Sequence, residues 1–178
     1  MGLLAWLGLR SEDAYPNIDA LMRELRRALP EDEAVVLRYI AIVIVLLGKV
    51  AYADGRLNEG EEQNLRALLS HIGRLAPSGV EAVCTSLRDK SHSLSEDELA
   101  LCYRELKALC DGKERREVLR LLAQLAASDG ALAPAELQEL ETIAEEIGIP
   151  RDEVSVVLDR ETSVGEPPPE GDGGTGTA

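Results

Sequence analysis

Residues 49–73, KVAYADGRLNEGEEQNLRALLSHIG, decide the fold: they read as the end of a long apolar helix, a tight Asp-Gly turn and a second, acidic helix. The pattern returns 75 residues later. Without a gap, Asp54, Gly55, Leu57, Glu61, Gln63, Leu65, Ile72 and Gly73 meet Asp129, Gly130, Leu132, Glu136, Gln138, Leu140, Ile147 and Gly148. Leu46, Leu47 and Ala51 likewise meet Leu121, Leu122 and Ala126, giving the shared pattern LLxxxAxxDGxLxxxExQxLxxxxxxIG. Two hairpins of helix, Asp-Gly turn and helix are expected.

The surrounding chain has 178 residues and 45% hydrophobic content, enough for one core of ordinary size. Aromatics are only 3% and Phe is absent, so the core must be aliphatic. Such a composition suits interdigitating helices better than sheets, which draw on aromatic and β-branched residues. The expected fold is all-α, a single compact domain of about eight helices around a central apolar helix. It should occupy residues 11–161, after a short apolar segment at 1–10 and before a disordered Pro/Gly-rich tail at 162–178.

Working outward from the first turn, residues 34–53 are apolar nearly all round, and Pro30-Glu31-Asp32-Glu33 is expected to open this longest helix. A membrane span is the rival reading. Arg38 and Lys49 leave ten uncharged residues between them, short of the roughly 20 that cross hydrocarbon, so a buried central helix is expected. Residues 17–29 form an amphipathic helix whose Arg23, Arg26 and Arg27 should pair with carboxylates. Asn58 with Glu61 is a capping signature for a helix over 59–72, with Gly73 at its left-handed end. Further helices are expected over 77–88, after the Ser95-Glu96-Asp97-Glu98 capping box, and over 114–128 beyond the Asp111-Gly112 break. Pro134 should begin the next one, Gly148 end it, and Pro150 start a short helix through Leu158.

The 33 acidic against 19 basic residues give a net charge of −14, which repels nucleic acid and anionic membranes and favours cations or basic partners. Cys84, Cys102 and Cys110 show no CxxC spacing and sit in apolar helical sequence, where they should be reduced and buried. Nothing marks secretion, so a cytoplasmic protein is expected, with at most peripheral contact at the inner membrane through Leu3 to Leu9. His71 and His92 stand in no catalytic spacing and no phosphate-binding Gly-rich loop appears, so no enzyme is expected.

The acidic turns are the candidate site. Asp54 and Asp129 would lie where a helix ends and its dipole is negative, which disfavours a carboxylate unless a cation or hydrogen-bond donors compensate. With Glu61 and Glu136 they form two candidate ligand pairs for a divalent cation, calcium or magnesium before zinc, since hard cations take carboxylate and carbonyl oxygens. The competing account is that Gly55 and Gly130 cap helices while Glu61 and Glu136 complete capping boxes. The first copy is richer in oxygens: Asn58, Glu59 and Glu62 face Ala133, Pro134 and Leu137 of the second.

The motifs KVAYADGRLNEGEEQNLRALL and LAASDGALAPAELQELETIAEEIGI, followed by Pro150-Arg-Asp-Glu-Val154, resemble the tellurite-resistance TerB-like domain. That family includes the N-terminal domain of a membrane-anchored DnaJ-type co-chaperone. The resemblance covers residues 33–160 and implies a compact helical domain of two pseudo-repeated hairpins. It also implies metal ligation at Asp54, Glu61, Asp129 and Glu136. No His-Pro-Asp tripeptide is present, so no Hsp70-stimulating activity is implied. The expected function is a non-enzymatic, stress-response interaction module with protein partners; the alternative is a purely structural or co-chaperone-like scaffold whose acids only cap helices.

Overall fold

A computed structural model describes residues 16–53, 59–71, 76–90, 94–127 and 132–163. The apolar segment 1–10 and the tail beyond 163 lie outside the described residues. Eight helices and no strand are found among those described: α1 (Pro16–Ala28), α2 (Ala34–Ala51), α3 (Glu59–His71), α4 (Pro77–Lys90), α5 (Glu96–Leu109), α6 (Gly112–Ala126), α7 (Pro134–Glu146) and α8 (Arg151–Ser163). The expected all-α class holds.

α2 is the centre. Leu37, the run from Ile40 to Gly48, Val50 and Ala51 are all buried, because α1, α5, α6 and α7 pack around the helix. By length and composition α2 could cross a membrane, yet 67% of it is buried inside the protein. Its two cations are also engaged: Arg38 Nε and Nη2 donate to Glu105 at 2.5 and 3.0 Å, and Lys49 Nζ lies 3.4 Å from Glu139. Gly48 brings α4 close, since a Cβ there would stand 2.8 Å from Leu87 Cδ2.

The remaining helices complete the shell. α1 buries Ile18, Leu21 and Leu25 and packs on α2 and α4, while α3 packs on α4 and α6. α6 buries Val118, Leu119, Leu122, Ala123, Leu125 and Ala126, and α8 lies against α6 and α7. The apolar stripes read from the sequence therefore point inward.

Helix ends follow local chemistry. The Ser95–Glu98 capping box is formed, and Asp111 makes a second box with Glu114, accepting from the Lys113 and Glu114 amides. Pro134 takes the first turn of α7, where its missing N–H costs nothing. Gly148 (φ 78°) ends α7 in a Schellman motif: its N–H donates to the Glu145 carbonyl, and the Ile149 N–H to that of Ala144 at 2.7 Å. Arg115 Nη1 also donates to the Ile147 carbonyl there.

Several boundaries differ from expectation: α4 runs on to Lys90, and α6 spans Gly112–Ala126 with Gly112 inside it. α2 starts at Ala34, with extended Glu33 as N-cap. Pro30 to Asp32 instead turn the chain out of α1, with the Asp32 amide donating to the Leu29 carbonyl at 3.3 Å. α8 continues past Leu158 to Ser163: its apolar stripe ends, but nothing before Gly165 breaks a helix.

Candidate functional site

Asp54 and Asp129 lie outside the described residues, as does the side chain of Glu61 on α3. Glu136 is described, and it is 5% exposed. At the third position of α7 it turns back, and its Oε2 accepts from the Ala133 amide at 2.8 Å. Ala133 has no side-chain acceptor of its own, so Glu136 alone supplies the capping carboxylate. Of the extra oxygens in the first copy, Glu62 accepts from Arg66 Nη2 at 2.7 Å, and Arg66 also bonds Glu81, joining α3 to α4. Among the described residues no group of three or more His, Cys, Asp or Glu is placed to hold a metal ion.

Glu98 is a second buried carboxylate, which the sequence marks only as a cap. It is 2% exposed. Its Oε1 accepts from the Asn17 amide at 3.0 Å; its Oε2 accepts from Asn17 Nδ2 at 3.1 Å and from the Ser95 amide at 3.0 Å. The carboxylate thus bridges the N-termini of α1 and α5, where both helix dipoles favour negative charge. Burial pushes its pKa up, but the bonds from Ser95 and Asn17 outweigh burial and hold the carboxyl below its ordinary range. The Ser95 and Glu98 spacing announces the box; the partner 81 residues away leaves no local signal.

The cysteines are free and buried, as expected. Burial, stronger than the opposing Arg38 charge, pushes the Cys102 thiol up to about 12, so it is no nucleophile at neutral pH. Burial raises Cys110 as well.

An open depression of about 550 Å³ lies between α7 and α8. Leu132, Leu137 and Leu158 give it an apolar floor, and Glu141, Asp152 and Asp159 an acidic rim. Leu132 is the third residue after Asp129 in the second repeat. Arg151, also at the rim, donates from Nη2 to Glu145 at 2.7 Å and stands 3.6 Å from Glu141.

A family model described as tellurite resistance protein TerB matches residues 40–157. That span runs from within α2 to within α8 and contains both Asp-Gly pairs of the sequence. No curated protein and no solved structure matches the chain.

Proposed function

Because the chain belongs to the TerB family of tellurite-resistance proteins, we propose that it is a non-enzymatic interaction module of a bacterial stress response. Its acidic inter-helix turns bind a divalent cation, calcium or magnesium before zinc, or a partner protein. It works in the cytoplasm, with peripheral contact at the inner membrane at most. The observation that carries this reading is the reach of the family match, which takes in Asp54, Glu61, Asp129 and Glu136 together. A carboxylate has two oxygens, so one that caps a helix with the first retains the chemistry to meet a hard cation with the second.

Glu136 favours a second reading. Buried and bonded to the Ala133 amide, it behaves as a capping acid, which supports a structural scaffold at that turn. Calorimetric titration of calcium, magnesium, manganese and zinc into chelator-stripped protein separates the two. Saturable binding that disappears in a folded Asp54→Asn or Asp129→Asn variant places the ion at that turn. No heat and no shift in Tm with any ion would discard the cation and leave the acids as caps.

A further inference from the structure

Of the four large apolar side chains exposed among the described residues, Val35, Val36 and Leu109 lie at one end of the molecule. Their placement follows from contacts between three helices. α1 and α2 pack together across a short connection, so the end of α1 lies beside the start of α2. Glu98 ties the start of α5 to the start of α1, and Glu105 reaches Arg38, so α5 runs towards that same end. Val35 stands one turn from Arg38 and Leu109 one turn from Glu105, both beyond the ion pair. Burial, with Cys110 and Glu114 nearby, pushes the Tyr39 hydroxyl up, which agrees with the end of α5 lying beside the first turns of α2.

Charges flank this apolar edge on two sides. Arg23 and Arg26 follow Asp19 at i+4 and i+7 on α1, and Asp19 is near enough to act on Arg38. Both arginines are exposed, and among the described residues neither is in an ion pair; of the arginines expected to pair on α1 only Arg27 does so, with Glu24. On the other flank, Glu31 and Glu33 of the α1–α2 connection are exposed and in no ion pair among the described residues, and the Glu33 side chain makes no capping bond. Asp32 between them is already engaged. Asp111 and Glu114, just past Leu109, are held in their own capping box. Along this edge the order is therefore basic, apolar, acidic.

We propose that this edge is the contact between two copies of the chain, related by a two-fold axis beside Val35 and Leu109, with Glu31 and Glu33 of each copy against Arg23 and Arg26 of the other. A two-fold contact needs a surface complementary to itself, and a basic flank, an apolar centre and an acidic flank in line meet that condition after a half-turn. A partner of a single sign would satisfy one flank and be repelled by the other. Three apolar side chains bury little area, so the dimer is weak, with Kd on the order of 100 µM. It needs neither a cation nor the acidic turns. The contact leaves the C-terminal end of α2, roughly 25 Å along the helix, uncovered, so the pair presents that end twice.

Sedimentation equilibrium of the full chain tests this, from about 5 to about 500 µM at physiological salt with a chelator present. The unsubstituted chain should show a reversible equilibrium between monomer and dimer. Glu31→Arg with Glu33→Arg sets arginines against arginines, and Arg23→Glu with Arg26→Glu sets acids against acids; each pair should weaken the dimer at least about tenfold. Net charge alone predicts the opposite for the first pair, which makes the chain less acidic and so should let it associate more readily. An equimolar mixture of the two variants restores both charge contacts in a heterodimer, which should form within about threefold of the original affinity. Val35→Ser with Leu109→Ser keeps every charge and should weaken the dimer about tenfold as well. Circular dichroism and Tm confirm that each variant is folded. A monomer at every concentration would overturn the dimer and leave this edge to an acidic partner or to Leu3 to Leu9 of the chain itself. Dimers unaffected by either charge variant, or two folded variants that fail to pair when mixed, would overturn it too.

Discussion

Glu98 shows how one residue carries both a local and a long-range task. At the third position of α5 it completes a capping box, a role legible from the Ser95 spacing alone. Its bonds to Asn17 were not legible, because nothing in a linear pattern relates residues 81 apart. Gln at this site keeps the shape but loses the charge and sets an N–H₂ group against donors. Urea unfolding at pH 7 should find Glu98→Gln less stable by about 1–3 kcal/mol. The pH dependence has a definite sign. The folded carboxyl is held below its ordinary value, so its contribution is complete above the unfolded pKa of about 4.3 and fades as pH falls through the lower folded value. The gap between the two proteins should therefore narrow below about pH 4. A gap constant from pH 7 to 3 would show that the charge is not what holds Asn17. Glu136 was half legible: its position fitted a cap and also a ligand, and the structure shows the cap bond.

At the scale of elements, periodicity located the eight helices found among the described residues, because each buries a stripe against a neighbour. Boundaries were harder where two elements compete for the same residues. Pro30 suits a helix start in isolation, but the short connection from α1 needs it for the turn. The depression could not be read either, since it depends on how far α8 stands from α7. Gly48 is the element-level feature with the sharpest consequence. Mid-helix, alanine is favoured over glycine by about 0.8–1.0 kcal/mol, but a Cβ at 2.8 Å from buried Leu87 incurs overpacking of about 1–3 kcal/mol. The clash should win. Gly48→Ala is expected to lose about 1 kcal/mol and Gly48→Val about 3, measured by denaturant midpoint. A stabilised Gly48→Ala would mean that Leu87 yields freely and that α4 is loosely seated.

The whole molecule is an aliphatic shell around α2 carrying 14 excess negative charges. Both properties were readable from composition, since burial needs apolar residues and charge needs only counting. Its surface pairs, such as Arg27–Glu24 and Arg120–Glu117, are exposed neighbours on single helices and are worth little, whereas the net charge repels itself across the entire surface. Screening should thus help more than it harms. Raising sodium chloride from about 20 to about 200 mM should raise Tm by a few degrees. A fall would mean that the ion pairs outweigh the repulsion. The clasp between Asn17 and Glu98 also sets a timetable for a chain made from its N-terminus. α1 is made before the other described helices, yet 81 residues separate Asn17 from the Glu98 that fastens it. Until then α1 can rest on α2 and α4, but its leading end remains unclasped until α5 begins.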